Sequence, residues 1–245
     1  MIPDAATTLL VIGAAFAGAV VGGIGGFGTG IILTAVLVPV IGVKAVVPVL
    51  ALAGIIINGG RFWFYRREID WAATRQVLVT ALPFVAIGTL LYARLDARPL
   101  GVLIGAVVLA SVPLRRFLKA RRIVVGPAGL RAGGALFGFV NGFASGMGVL
   151  LVSLLYGAGL SGTAVLATDA LVSIAVDAAR ALLFGRFALL DAETALLGLA
   201  IGLATLPGSA LAAFLVRRMH ARLHTLFMEA LILAGGASIL AGSLR

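Results

Sequence analysis

The feature of this sequence that most constrains its fold is a series of ten apolar segments, with the basic residues collected in the gaps between them. A helix needs about 20 mainly apolar residues to cross the hydrocarbon of a bilayer. Charged residues make up only 11% of the 245-residue chain, against about 25% in soluble proteins. The sequence therefore predicts an all-α polytopic membrane protein in contact with the lipid bilayer, with the segments 7–23, 28–42, 45–64, 72–93, 98–114, 131–146, 148–159, 163–184, 193–215 and 224–243.

The composition also limits the chemistry that the chain can perform. It contains no cysteine and two histidines, which leaves no disulfide, no thiolate and a poor supply of metal ligands. The net charge of +10 would suit nucleic acid, but the arginines lie in the gaps between apolar segments. Residues 1–10 carry no basic region before the apolar run, so a retained first helix is expected rather than a signal peptide. We expect no metal, no organic cofactor and no nucleic-acid partner.

The two halves of the sequence resemble each other. "GTGIIL" from Gly28 aligns with "GMGVLL" from Gly146, and residues 45–61 align with 164–180. Chance similarity between apolar segments is the alternative to a duplication. The matching polar positions favour the duplication over chance similarity. Internal repeats of this kind are found in membrane-transporter folds. We predict a single membrane domain, 1–245, made of repeat 1 at 1–114, a basic linker at 115–130 and repeat 2 at 131–245.

Each half holds five apolar segments, and this odd number predicts that the two repeats are inverted relative to each other. Twelve basic residues lie in the gaps that would then be cytoplasmic and five lie in the external gaps, if the N-terminus is outside. This excess agrees with the positive-inside rule. In each half we expect a glycine-broken short helix pair, either re-entrant or spanning, followed by about three spanning helices. Inverted repeats of this kind are typical of secondary transporters.

One stretch resembles a known family. "GGIGGFGTGIILTAVLVP" at 22–39, followed by the "RREID" turn at 66–70, is similar to the sulfite exporter TauE/SafE family of prokaryotic membrane transporters, and the similarity extends over nearly the whole chain. The second half departs from the family pattern at Ser145, Met147, Ser153 and Asp169. The resemblance implies transport of small sulfur-containing anions, such as sulfite, sulfonates or sulfoacetate, across the cytoplasmic membrane.

The glycine cluster predicts an anion site even without that resemblance. Glycines can break a membrane helix and expose the backbone N–H groups of the next one, and such helix N-termini bind oxyanions. Non-helical backbone at membrane depth is tolerated only inside protein or beside a water-filled cavity. Close packing of helices through small residues is the alternative. The predicted ligands from the cluster and its counterpart "SGMG" are Gly25, Gly26, Gly28, Gly30, Ser145, Gly146 and Gly148.

Two pairs of polar residues complete the predicted site. Asn58 with Arg61 and Asp177 with Arg180 are each three residues apart, so each pair lies on one helix face. Polar residues within membrane segments are costly and usually functional. The alternatives are that Arg61 reaches to the membrane interface and that Asp177 only neutralises Arg180.

Three acidic residues are candidates for proton coupling. Asp169, Asp177 and Glu229 lie in apolar segments, where a carboxylate could take up and release a proton. The alternative is that Asp169 and Glu229 are hydrated near helix ends. The "RREIDW" stretch at 66–71 is interpreted as a topology anchor.

The sequence thus predicts a secondary transporter of small anions that works by alternating access, with proton coupling left open, and not an enzyme. An intramembrane serine protease with Ser145 and either His220 or His224 is a weak alternative, because both histidines fall in a basic loop. A passive anion channel or a structural membrane protein is the stronger one. A homodimer is also left open.

Overall fold

The computed structural model describes residues 5–121 and 124–216. Within these ranges the regular structure is entirely helical, with one 3₁₀ turn at Arg66–Glu68. The apolar segment 224–243 lies outside the described residues, as do Glu229, His220 and His224. The helices are α1 (Ala5–Gly25), α2 (Thr29–Ile41), α3 (Val43–Tyr65), α4 (Trp71–Arg94), α5 (Ala97–Arg121), α6 (Pro127–Phe143), α7 (Gly148–Gly157), α8 (Gly162–Arg186) and α9 (Ala192–Val216).

Four of the described helices, α1, α3, α4 and α9, are long and apolar enough to cross a membrane. Helices α2 and α7 are shorter, with 13 and 10 residues. Helix α8 has 25 residues but carries Asp169, Asp177 and Arg180 within its length. Large apolar side chains such as Leu182 and Leu196 remain exposed on the outer surface, as expected for a surface that faces lipid. The expectation of an all-α polytopic membrane protein is confirmed.

Some helix boundaries differ from the predicted apolar segments. Helix α1 is longer than the predicted segment 7–23, and α5 continues past residue 114 to Arg121. Arginine, lysine and leucine are good helix formers, so the basic stretch extends the helix although its hydropathy is low. Helix α6 begins early, at Pro127, where proline occupies the first turn without losing a helical hydrogen bond.

The helices of the two halves are interleaved. Helix α4 packs on α6, and α9 packs on α1, so the fourth helix of each half lies against the first helix of the other. Helices α3 and α8 pack against each other between these two pairs. This exchange is the packing expected of two related halves; the repeat boundaries themselves stay a prediction.

Helices α4 and α6 approach unusually closely. Gly134, Gly138 and Gly142 follow one another at every fourth position of α6 and face the backbone of α4. A Cβ added at Gly142 would lie 2.6 Å from the Cα of Gly88. Small residues at this spacing let membrane helices pack through their backbones. The glycines therefore fix the contact between the halves.

Both halves contain a break between their first two helices. Residues 26–28 separate α1 from α2, and residues 144–147 separate α6 from α7. Gly28 has φ 111° and Gly146 has φ 86°, conformations that residues with a Cβ rarely adopt. Each break therefore depends on glycine at these positions.

Candidate functional site

The two helix breaks lie directly against each other. A Cβ added at Gly30 would lie 2.7 Å from the backbone N of Gly146, and one added at Gly148 would lie 3.1 Å from the carbonyl oxygen of Gly26. Glycine at Gly30 and Gly146 is thus required by backbone contact, as in the helix-packing alternative. The same contact brings the N-termini of α2 and α7 to one point.

A small cavity of about 70 Å³ lies between the two breaks and the helices α3 and α8. Its wall contains every predicted ligand except Gly25, which is the last residue of α1. Asp169 does not line the cavity. The polar side chains of the wall are Thr29, Asn58, Arg61, Asn141, Ser145, Ser173, Asp177 and Arg180.

Arg61 is held by groups from three helices. Its Nη1 donates to the carbonyl oxygen of Gly26 at the end of α1, at 2.6 Å. Its Nη2 donates to Asn58 Oδ1 and lies 2.8 Å from Asp169 Oδ2 on α8. Arg61 is only 6% exposed and Asp169 is fully buried. Arg61 therefore does not reach to the interface, and Asp169 is not hydrated; both sequence alternatives are wrong, because the two residues neutralise each other inside the protein.

Arg180 holds the second break in a similar way. Its Nη1 donates to the carbonyl oxygen of Asn141 at 2.8 Å, and its Nη2 lies 2.9 Å from Asp177 Oδ1. Helix α6 ends at Phe143, so Arg180 lies beside its C-terminus. The C-terminus of a helix carries a partial negative charge, which stabilises a cation placed there. Arg180 Nε has no hydrogen-bond partner among the described residues.

The two arginines are connected through one network. Asn58 Nδ2 donates to Asp177 Oδ2 at 3.0 Å, and these residues occupy equivalent positions in the aligned halves. Residues that touch their own equivalents lie at the symmetry axis of a paired arrangement. The network therefore runs from Arg61 through Asn58 and Asp177 to Arg180.

The charges of this network cancel. Among the described residues, the buried charged side chains are Arg61, Asp169, Asp177 and Arg180, two cations and two anions. Buried charges are tolerated when they are paired. An additional anion in the cavity would therefore leave one unit of negative charge uncompensated.

Ser145 lies in the second break with its hydroxyl buried. The residue is 1% exposed, lines the cavity, and its Oγ has no hydrogen-bond partner among the described residues. Buried polar atoms nearly always have a partner. Ser145 Oγ and Arg180 Nε thus leave two unused donors at the cavity, next to the N-terminus of α7.

Sequence reasoning did not single out three cavity residues, Thr29, Asn141 and Ser173. Asn141 donates to the Phe137 carbonyl within α6. A single asparagine in a membrane helix is a detectable signal, since polar residues there are rare. Thr29 and Ser173 carry no such signal, because small hydroxyl residues also occur throughout helix interfaces.

A bundle of interleaved membrane helices, broken twice around a buried polar cavity, is an architecture found in membrane transporters. The sequence model of the family Sulfite exporter TauE/SafE matches residues 10–239, nearly the whole chain. The chain belongs to this family of membrane transporters. No curated protein and no solved structure gave a significant match.

Proposed function

We propose that this chain is a secondary transporter that carries a small sulfur-containing anion, such as sulfite, a sulfonate or sulfoacetate, across the cytoplasmic membrane of a prokaryote. The family description supports the substrate class. The central observation is the pair of unused donors, Ser145 Oγ and Arg180 Nε, at a buried cavity. An oxyanion would supply acceptors to both.

In this proposal the anion binds between the two helix N-termini. The first N–H groups of a helix have no partner within it, and they attract negative charge. The two breaks and the first residues of α2 and α7, at 26–30 and 145–148, contribute to the cavity wall. Ser145 and Arg180 bind the anion directly, while Asn58, Arg61 and Asp177 complete the wall.

The size of the cavity favours the smaller members of this substrate class. Its volume of about 70 Å³ is far below the roughly 300–1,000 Å³ of pockets for drug-sized ligands. A compact ion such as sulfite suits this space better than sulfoacetate does.

The balance of charge supports proton coupling through Asp177. Both Asp177 oxygens are engaged, one by Asn58 and one by Arg180. A proton on Asp177 would release Arg180 to compensate the anion, and a site loaded with a singly charged anion, such as hydrogen sulfite, would then remain neutral. Asp169 is separated from the cavity by Arg61 and is the weaker candidate.

Alternating access would come from rocking of the α1–α9 pair against the α4–α6 pair about the α3–α8 contact, because each of these pairs is packed closely across the two halves. Inverted repeats provide such motion around a fixed site. The distribution of basic residues favours an external N-terminus. A carrier of this kind saturates as the anion concentration rises, whereas a passive channel does not.

Substitution Ser145→Ala tests the proposed site. Because Ser145 Oγ has no partner among the described residues, its removal should leave the unliganded protein as stable as before. We expect sulfite affinity to fall about fivefold, as for one lost hydrogen bond. The measurement is the sulfite concentration that half-saturates thermal stabilisation of the purified protein, together with flux into proteoliposomes.

The matched control is Ser209→Ala. Ser209 is also buried, but it lies on α9 away from the cavity. Equal sulfite affinity of the two variants would contradict the site. Stabilisation by acetate-like anions alone would move the substrate class away from sulfur, and flux that never saturates would indicate a channel.

A further inference from the structure

The turn between α3 and α4 is fastened to the first turns of α8. Thr163 Oγ donates to the Glu68 carboxylate, and the backbone N–H of Asp70 donates to Thr168 Oγ at 3.0 Å. Asp70 also caps α4, because its Oδ1 accepts the Ala73 N–H at 2.8 Å. The turn interpreted as a topology anchor is therefore also a contact between the halves.

A third contact lies deeper in the same direction. Asp169, the residue after Thr168, forms the ion pair with Arg61. Arg61 lines the cavity and Asp169 lies behind it. The three contacts thus form a continuous row from the exposed turn to the cavity wall. Since Arg61 also holds the carbonyl of Gly26, the row is connected to the first helix break.

The opposite end of the molecule lacks the equivalent groups. In the alignment of the halves, Thr168 and Asp169 correspond to Val49 and Leu50, which are both buried and apolar. Asp191 caps α9 as Asp70 caps α4, through the Thr194 N–H at 2.8 Å. Val49 has no hydroxyl that could accept a hydrogen bond from the backbone of the turn between α8 and α9. Among the described residues, the Thr168 and Asp169 contacts therefore have no counterpart at that end, although Lys44, the equivalent of Thr163, donates to the Tyr92 carbonyl there at 3.1 Å.

We propose that these three contacts, Glu68–Thr163, Asp70–Thr168 and Arg61–Asp169, form a gate that closes the cavity toward the end of the molecule that carries Arg66 and Arg67. We call them the α8 gate. The gate opens when the first turns of α8 separate from the α3–α4 turn. This inference rests on the proposed alternating access, and it assigns a function to Asp169, Thr168 and Thr163.

Polar contacts suit a gate because they can be exchanged for water. When the turn and α8 separate, each group finds water as a new partner, so opening costs little net hydrogen bonding. Val49 and Leu50 at the other end have no such exchange, because separating them from their neighbours exposes hydrocarbon. The two ends therefore differ in how they open.

Thiol accessibility tests the α8 gate without any substrate. The chain has no cysteine, so Ser145→Cys introduces one thiol at the cavity. A membrane-impermeant methanethiosulfonate is added to one face of oriented vesicles, and Arg67→Cys in a separate sample reports which face carries the turn. With Thr168→Val added, we expect labelling from that face to accelerate about fivefold, the equilibrium shift of one lost hydrogen bond.

The matched control is Thr205→Val in the same Ser145→Cys background. Thr205 is buried, and among the described residues its hydroxyl donates to the Gly202 carbonyl of its own helix α9. We expect this variant to label at the original rate. If Thr168→Val does not accelerate labelling, or if Thr205→Val accelerates it equally, the gate is disproved.

A cross-link provides the second test. Glu68→Cys with Thr163→Cys joined by a short bis-methanethiosulfonate should abolish sulfite flux, and dithiothreitol should restore it. The control pair Gln76→Cys with Arg131→Cys also joins the two halves, at the contact of Arg131 Nε with Gln76 Oε1, but lies on the close α4–α6 packing. Its cross-link should leave flux intact. Flux that survives the first cross-link overturns the gate.

The two tests separate this inference from the proposed function. If the unmodified protein carries no sulfite, the proposed function fails, while the labelling rates still decide whether the gate exists. If sulfite flux is normal and labelling does not respond to Thr168→Val, only the gate fails.

Discussion

Arg61 and Arg180 occupy equivalent positions in the two halves, yet their surroundings differ. Both donate to a carbonyl group of a helix break, at Gly26 and at Ala144 respectively. Arg61 Nη2 forms an ion pair with Asp169, an aspartate from the other half of the chain. Arg180 pairs with an aspartate of its own helix and keeps one nitrogen unused at the cavity.

The difference originates in two positions. Asp169 corresponds to Leu50 in the first half, and Asp177 corresponds to Asn58. Both carboxylates therefore belong to α8, although the arginines are shared equally between α3 and α8. Under the two proposals above, equivalent positions would differ in role: Arg180 would bind the ligand, while Arg61 would help to close the path to it.

The strongest test of this comparison removes each arginine together with its carboxylate. Removing one partner alone would leave a buried charge, at about 3–5 kcal/mol. For Arg180→Ala/Asp177→Asn we expect sulfite affinity to fall about 100-fold, as for a charge-assisted hydrogen bond of about 3 kcal/mol. Isothermal titration of the purified protein with sulfite measures this loss.

The matched variant is Arg61→Ala/Asp169→Asn. We expect its sulfite affinity to stay within about fivefold of the original, the range of one neutral hydrogen bond, while thiol labelling of the cavity from the turn side accelerates. Equal losses of affinity in both double variants would show that the two arginines act alike and would remove the distinction.

A smaller effect is expected from Gly28→Leu. Gly28 has φ 111°, so a side chain there adds about 1–3 kcal/mol of strain and occupies part of the cavity. We expect sulfite flux to fall about tenfold, together with a lower thermal midpoint, because 1.4 kcal/mol corresponds to a factor of ten. The control is Gly59→Leu on α3, where an added Cβ meets nothing within 4 Å. Undiminished flux in Gly28→Leu would show that the first break takes no part in transport.

The smallest expected effect concerns Asp177, which corresponds to Asn58 in the first half. In Asp177→Asn the site resembles the protonated state permanently, so we expect sulfite flux to continue without acceleration as the pH on the anion-loaded side falls. Arg180 and Arg61 are the charged groups that face this position, from α8 and from α3. Flux measured in proteoliposomes with imposed pH gradients provides the comparison.

The control is Asp191→Asn at the exposed cap of α9. The N–H of Thr194, followed by its hydroxyl, lowers the pKa of the Asp191 carboxyl, and asparagine caps a helix nearly as well. This variant should keep the pH response of the original protein. A pH response that persists in Asp177→Asn would assign the proton to another group.

Much of the fold follows from local sequence signals. The spacing of apolar segments predicts the helices, and the glycines predict where α1 ends and α2 begins. The extension of α5 to Arg121 was missed, because hydropathy treats arginine and lysine as the end of a membrane segment although both favour helix. Helix propensity and the tendency to enter a membrane are separate properties. The spacing of apolar segments indicates where a chain enters the membrane more clearly than it indicates where a helix ends.

Less of the site than of the fold can be predicted from the sequence. The alignment of the halves brings Asn58 and Asp177 to equivalent positions, and their contact follows if these positions meet at an axis. The pairing of Arg61 with Asp169 could not be predicted, because it joins residues on different helices that no spacing rule relates. The hydrogen bond from the Asp70 backbone to Thr168 could not be predicted either, because every residue except proline has a backbone N–H donor and the sequence does not show which one is used.

The interleaving of the helices has a consequence for biosynthesis. Helix α1 packs on α9, so it meets this partner only after the seven helices α2 to α8 have been synthesised. Contacts between residues so far apart in sequence slow folding, because a long loop must close before they form. Until α9 is inserted, the membrane must hold an incomplete bundle in which α1 contacts α2 but leaves the face that binds α9 against lipid.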